Sequence, residues 1–475
     1  MSYSKQSKEN SPLLYSMQIL VLLLFCTGML LYALGLASLS KVLQTQSFFH
    51  IGGLLFVLAF WKKFSKQDLK FLRIPFLCFV VVICLGLLTY FNPIMPRTFS
   101  EVFRSVNTHI LGYFILFTLS FLFAFYVQRA LVAVFFGFIA LLCIIEIVQT
   151  INITQETQGF RRVPFYFKEV FTYNLWLLLP SAVCISGAFV FKNWWVRILF
   201  LSGLYPCLEA MLANGERSFL VALVGMFIAP FIFYTYRFKV FVLATLFVAM
   251  GVGGIFGYHY SKNLPDRYNF AHMIDNFSEV WNTQPSEMGK YDAWCFSGLK
   301  CTNESTKDGK ASFTWEHSSL ARIAMTKSTL LAVLDNPLKP HIVGVFEIGQ
   351  YLRHYYELKN LENRVYMSIS GDSFNGYNAP HNFIISLILS YGILGFLAIV
   401  VFVGLLFKNI RDFSTTSRYA LDRLIGLSCC VLLCGISVQC LFDSIYGVIL
   451  QPFFVVIGLV YGYSMRYRNG PLSNL

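Results

Sequence analysis

Residues 13–37 read LLYSMQILVLLLFCTGMLLYALGLA, twenty-five positions without one charged side chain. A helix needs about 20 mostly apolar residues to cross a hydrocarbon core about 30 Å thick, so this run is long enough to span a bilayer. It is too long for the core of a signal peptide and lacks a convincing small-residue cleavage site, so it reads as an uncleaved first span after a polar tail, residues 1–12. Outward from it the pattern recurs at residues 46–61, 74–91, 108–127, 130–150, 173–191, 196–213, 218–236 and 240–260. Residues 261–380 are polar and irregular, and spans resume at 381–407, 424–443 and 445–464. The pattern predicts an all-α polytopic membrane protein of twelve transmembrane helices. Residues 1–260 would hold spans one to nine, 261–380 one large, partly helical loop, and 381–475 spans ten to twelve.

Composition agrees with that reading. Of 475 residues, 56% are hydrophobic, 17% aromatic and 13% charged, with a mean hydropathy of +0.61. Soluble domains spend about a quarter of their residues on charge, so a water-soluble globule is excluded. The net charge of +13 would suggest nucleic acid in a soluble protein, but its distribution excludes that partner. With the N-terminus inside, the inner segments hold eighteen bases, among them Lys62, Lys63, Arg129, Arg411 and Arg466, against Glu9, Asp68, Asp412 and Asp422. The inner balance is +14 and the remainder is −1, which is the retention of Lys and Arg on the cytoplasmic side. Both termini are then cytoplasmic. Ten of twelve cysteines lie in apolar runs and read as small packing residues, whereas Cys295 and Cys301 fall in the polar stretch and could pair in an oxidising compartment.

The same orientation puts residues 261–380 outside, with shorter loops at 38–45, 92–107, 151–172 and 214–217. Function is sought there. Residues 318–334 predict a loop helix with Leu320, Ile323, Ala324, Leu330, Leu331 and Leu334 on one stripe, Ser318 or Ser319 as cap, and Asp335-Asn336-Pro337 as stop. Arg322 lies off the stripe. A second, Tyr-rich stretch at 346–361 suits the membrane surface, where one end of each ring is apolar and the other wet.

Three outer residues carry candidate chemistry. His381, in Ala379-Pro380-His381-Asn382-Phe383, opens the tenth span. A neutral imidazole there can take a proton from an incoming hydroxyl; the plain alternative is an interfacial His–Asn pair that ends the loop. Pro380 suits the first position of the helix, where its missing N–H costs little. Arg217, in Asn214-Gly215-Glu216-Arg217-Ser218, opens the eighth span, and Arg322 lies on the polar face of the loop helix. Two guanidinium forks near a membrane surface suit a pyrophosphate; snorkelling and solvated arginines are the plain alternatives.

The run Ser318-Ser319-Leu320-Ala321-Arg322 to Asn336-Pro337, then Gly344, then His381-Asn382 with Leu387, Gly392 and Gly395, resembles the carboxy-terminal signature of the O-antigen ligase superfamily. Asn214 to Ala222 is similar to its earlier Ser-Arg-small-residue motif. Two departures stand out: Glu216 takes the place of a Ser, and Pro337 to Gly344 is an expanded segment. The resemblance implies a glycosyltransferase joining sugar chains outside the inner membrane of a bacterium, with Arg217, Arg322 and His381 at its active site. The implied donor is an undecaprenyl pyrophosphate-linked glycan and the implied acceptor a sugar hydroxyl of lipid A–core, in a membrane-lipid setting. Polymerases and protein O-oligosaccharyltransferases share the superfamily. Ligase is favoured because the chain ends soon after the twelfth span. A twelve-span transporter, using Glu146, Glu209 and Asp443 as its intramembrane acids, is the rival from another class, but no repeated halves are found.

The energy for the new bond would arrive in the donor, so the resemblance implies neither nucleotide nor other cofactor. No metal is expected either: the first outer loop, residues 38–45, has no acid, and Glu216 and Asp372 stand apart. Transfer by the purified protein should therefore survive EDTA, which is checked by assaying glycan transfer before and after chelation and after adding back Mg²⁺ or Mn²⁺.

Overall fold

The computed structural model describes residues 12–34, 45–65, 69–157, 170–214, 217–233, 239–263, 270–275, 277, 281, 317–358, 380–443, 445 and 447–469. Among these residues the chain is helical and has no strand. In order, the helices are α1 Pro12–Ala33, α2 Thr45–Phe60, α3 Arg73–Leu88, α4 Phe99–Val106, α5 Gly112–Tyr126, α6 Arg129–Thr157, α7 Val170–Val190 and α8 Trp194–Asn214. They continue with α9 Arg217–Phe233, α10 Lys239–Ser261, α11 Phe270–Asp275, α12 His317–Asp335, α13 Val345–Leu358, α14 Phe383–Thr416, α15 Ala420–Gln439 and α16 Gln451–Asn469. A π-helical turn, Asn107–Leu111, joins α4 to α5.

Eight continuous helical stretches among the described residues are long and apolar enough to cross a membrane: 12–33, 70–91, 99–126, 129–152, 171–190, 194–212, 383–416 and 420–439. Residues 218–233 form a shorter apolar helix. The stretch 171–190 is the most enclosed of the eight, so α7 is the centre around which α8, α9 and α15 pack. Bilayers supply no hydrophobic drive between helices, and close packing depends on small residues at the contact. Gly458 and Gly462 of α16 show this, since a Cβ on either would come within 2.4 Å of the Phe117 or Phe121 carbonyl of α5. Of the ten cysteines expected to pack, all are free; Cys78, Cys143, Cys184, Cys207, Cys429 and Cys430 are buried, while Cys84 is exposed. Cys295 and Cys301 lie outside the described residues.

The helices give the molecule two polar ends. At one, Asp422 is buried and accepts hydrogen bonds from Ser417 Oγ and Tyr463 Oη, each at 3.0 Å. Arg129 completes this staple, with Nε 3.2 Å from Tyr463 Oη and a terminal nitrogen 3.7 Å from Asp422. It joins the starts of α6 and α15 to the end of α16. The other end carries the openings of α9 and α14, the close of α15, and the α12–α13 unit.

That unit differs from the expected loop helix in its buried face. The helix and its stop at Asp335 are as expected, but among the described side chains of α12 the buried ones are Ser328, Thr329, Ala332 and Val333. Leu331 and Leu334 are 41% and 61% exposed, so the stripe read from leucine spacing is not the packed one. The small side chains face inward because α14 packs against this helix. Residues 320, 323 and 324 of the expected stripe have side chains outside those described. Of the Tyr-rich stretch, 345–358 forms α13, and its Ile348, Tyr351, Leu352 and Tyr355 are buried in a shared core with Ala332, Val333, Ile342 and Leu389. Between α12 and α13, His341 is held neutral: Tyr351 Oη donates to Nδ1 at 2.8 Å, Nε2 donates to the Asn336 carbonyl at 3.2 Å, and burial pushes the imidazole pKa down.

The connection 336–344 lies against a break in α14. Gly392 has φ 66° and ψ 174°, a conformation nearly confined to glycine, and the helix resumes beyond it. The break frees backbone groups that lipid cannot satisfy, and the connection satisfies them. Ile393 N–H donates to the Pro337 carbonyl at 2.8 Å, and His341 N–H donates to the Leu389 carbonyl at 2.9 Å. A Cβ on residue 392 would lie 2.5 Å from the Leu338 carbonyl oxygen. Gly392→Ala therefore combines a disfavoured backbone with a clash and should destabilise the protein by about 1–3 kcal/mol, read as a lower melting temperature in detergent.

Candidate functional site

Polar side chains collect where α14 begins. Asn382 caps the helix, accepting from the Ile385 N–H at 3.0 Å through Oδ1. The expected start at Pro380 is thus three residues early: the helix begins at Phe383, where the carboxamide oxygen of Asn382 satisfies one of the amides of its first turn. Pro380 is instead buried before the cap, and its carbonyl accepts a hydrogen bond from Thr326 Oγ1 of α12 at 2.7 Å.

Between them, His381 has φ 49°, the one positive φ at a non-glycine position among the described residues. A β-carbon in that region costs about 1–2 kcal/mol, and such residues gather at functional sites. The side chain explains the tolerance. His381 Nδ1 stands 2.8 Å from Asp443 Oδ1, with side-chain exposures of 15% and 8%. The carboxylate accepts the Nδ1 proton, which makes Nε2 the basic nitrogen of the neutral ring. The arrangement fixes both the tautomer and the ring direction, and prepares Nε2 to take a proton.

The turn after α15 holds this pair in place. Asp443 N–H donates to the Gln439 carbonyl at 3.1 Å, Phe383 N–H to the Cys440 carbonyl at 2.9 Å, and Asn382 Nδ2 to the Leu441 carbonyl at 3.1 Å. Gln439 is fully buried, and its Nε2 donates to Ser218 Oγ at 2.8 Å. Ser218 follows Arg217, the first residue of α9. On the far side of that connection, Asn214 Nδ2 donates to Asn174 Oδ1 of α7 at 2.9 Å.

The three residues named from the sequence are therefore related as follows. His381 meets Asp443 directly. Arg217 is the backbone neighbour of a serine bonded to the turn that carries Asp443. Arg322 lies four residues before Thr326, one turn along the same face of α12, and Thr326 is bonded to the residue preceding His381. The side chains of Arg217 and Arg322, and residues 215, 216 and 372, lie outside the described set. Among the described residues, no three His, Cys, Asp or Glu side chains form a metal-ligand cluster.

From the sequence Asp443 is only one of the intramembrane acids of the rival transporter, and Gln439, Ser218 and Thr326 carry no signal of their own. A signal for Asp443 was present: α14 and α15 are joined by a three-residue turn, so the far end of α15 returns to the opening of α14. Of the other two intramembrane acids, Glu146 is buried in α6 with Oε2 unpaired, and Glu209 is half-buried in α8.

Residues 202–400 match the family described as O-antigen ligase. No curated protein matches the chain. The matched stretch includes Arg217, Arg322, His381 and Gly392, and stops short of Asp443.

If Asp443 holds His381 in its working tautomer, Asp443→Asn should cut turnover about 10²- to 10⁴-fold, since a carboxamide can stabilise the wrong tautomer. An unchanged melting temperature alongside that loss separates the effect from unfolding.

Proposed function

Because residues 202–400 make the chain a member of the O-antigen ligase superfamily, we propose that it transfers a glycan from an undecaprenyl pyrophosphate-linked donor to a sugar hydroxyl of lipid A–core. The observation that carries this reading is the His381–Asp443 pair at the opening of α14, bonded through its flanking residues to the two helices that bear Arg217 and Arg322. Family membership supports a glycosyltransferase acting on lipid-linked glycans; the ligase activity, the donor and the acceptor are our inference.

The geometry suits a single displacement. His381 Nε2 takes the proton of the acceptor hydroxyl, and the freed oxygen attacks the anomeric carbon of the donor. The bond from that carbon to the pyrophosphate oxygen breaks, and its electron pair leaves with the pyrophosphate. Arg217 and Arg322 would bind that leaving group, whose charge grows as the bond breaks, so they stabilise the transition state more than the ground state. Attack opposite the leaving group inverts the anomeric centre. No metal is required by this scheme.

The reading also assigns sides. The Arg129–Asp422–Tyr463 staple and the basic residues Arg411, Arg466 and Arg468 lie at the end opposite His381, which supports a cytoplasmic basic end and a periplasmic site. In the proposed topology twelve spans cross the inner membrane, spans one to nine in residues 1–260 and ten to twelve in 381–475, with 261–380 periplasmic and both termini cytoplasmic.

The test is the lipopolysaccharide of a deletion strain complemented with variants. Loss of all attached O-chain supports a ligase, whereas core bearing a single repeat indicates a polymerase; uptake of a solute by purified protein in liposomes without transfer would indicate a transporter. His381→Ala should abolish detectable transfer, in line with the 10²- to 10⁴-fold or so contributed by a general base. Arg217→Lys should also impair it strongly, because an ammonium cannot reproduce the guanidinium fork.

A further inference from the structure

Four buried polar side chains hold the opening of α9, and none of them is an acid or a base. Asn214, before the opening, is bonded to Asn174 of α7 at 2.9 Å, and Ser218, just after it, accepts from Gln439 Nε2 of α15 at 2.8 Å. The two bonds flank Arg217 in the chain, and the second of them reaches the site. The Gln439 carbonyl accepts from the Asp443 N–H at 3.1 Å, and Asp443 Oδ1 meets His381 Nδ1 at 2.8 Å. Three hydrogen bonds in series therefore lead from the residue after Arg217 to the imidazole.

Deeper in the membrane domain, small residues fix α9 against α15. A Cβ on Gly225 would lie 2.9 Å from Val438 Cγ2, and one on Gly435 would lie 2.6 Å from Met226 Sδ. At the outer end the contact becomes a polar reach, from the Gln439 carboxamide to Ser218. That reach leaves one end of the carboxamide unmet, since Gln439 Oε1 is buried and has no hydrogen-bond partner among the described residues. Either orientation of the carboxamide keeps the bond to serine, because a hydroxyl both donates and accepts. An unpaired buried polar group costs as much as one net hydrogen bond gains, or more, so stability does not account for a glutamine here. An apolar side chain of the same length would hold the helices together equally well. It would lack the directional bond that fixes the first turn of α9 to the turn carrying Asp443.

We propose that Gln439 is a positioning residue for glycan transfer, its side-chain bond to Ser218 fixing where Arg217 stands relative to the His381–Asp443 pair. The inference rests on the transferase reading above. In a displacement with inversion the proton acceptor and the group that receives the leaving pyrophosphate act on opposite sides of one carbon, so their separation must be held. A misplacement of about 1 Å can cost about 10²-fold in rate. The side chain and the carbonyl of Gln439 do separate work: the carbonyl holds Asp443, and the carboxamide holds the opening of α9. Removing the carboxamide leaves the base intact and lets the arginine-bearing turn move.

The test uses full-length protein in nanodiscs with undecaprenyl pyrophosphate-linked glycan and lipid A–core, each varied in turn, and the variants Gln439→Met, Ser218→Ala and the double. Each single variant should lower kcat about 10- to 100-fold and leave KM for both substrates within about 3-fold. The double should lose no more than the larger single loss, because the same bond is removed either way. The acid limb of the pH profile of kcat should stay in place, since the His381–Asp443 pair is untouched. Unchanged kcat in Ser218→Ala, losses that multiply in the double, or a displaced acid limb overturns the inference. Ser218→Ala leaves the 439–443 turn unaltered, so it decides the question even if Gln439→Met does not fold. Electron cryo-microscopy of wild type and Ser218→Ala gives a readout independent of turnover. A backbone shift of about 1 Å or more at Arg217 relative to His381 supports the positioning role even if neither protein transfers glycan, a result that would overturn only the transferase reading. Superimposable openings of α9 overturn the positioning role whether or not glycan is transferred.

Discussion

His381 keeps a backbone conformation that L-residues disfavour, and it does so because the chain on both sides is tied down. The turn 439–443 supplies most of these ties: its carbonyls accept from Phe383 and Asn382, its Asp443 carboxylate accepts from the imidazole, and Gln439 reaches across to Ser218. Thr326 secures the remaining side through Pro380. Four helices, α9, α12, α14 and α15, therefore converge on about ten residues. Without these bonds an imidazole at a helix mouth would be free to rotate, and its proton-accepting nitrogen would have no fixed direction.

A second constraint comes from the bilayer. Helices are the default there because lipid satisfies no backbone group, so a helix can be broken only where protein covers the break. The connection 336–344 covers the interruption at Gly392 with two backbone hydrogen bonds, and in doing so brings Gly344 against the opening of α14. The Pro337–Gly344 segment thus holds the broken helix together rather than decorating the surface.

The reading of periodicity succeeded and failed for identifiable reasons. Apolar runs such as 13–37 and 173–191 identify helices because hydrocarbon leaves few alternatives, and α1 and α7 lie where they were expected. The loop helix was legible in extent, since Asp335-Asn336-Pro337 ends it, but not in orientation. Leucine spacing nominated an exposed face, whereas Ala332, Val333, Ser328 and Thr329 are buried because a close-packed neighbour prefers small side chains. His381 was legible as a polar interruption at the start of a span. Asp443 was not, because 62 residues separate it from its partner and an acid at a turn has an ordinary explanation.

From linear order alone followed the helical class, the approximate extent of many spans, the sidedness of charge and three candidate groups, since each depends on composition within a window of about twenty residues. The pairing of His381 with Asp443, the tether from Gln439 to Ser218 and the cover over the break at Gly392 came only with the folded arrangement. These depend on which helix ends become neighbours, and helix contacts in a membrane are chosen by packing of small residues and by satisfaction of polar groups, neither of which leaves a local periodic trace.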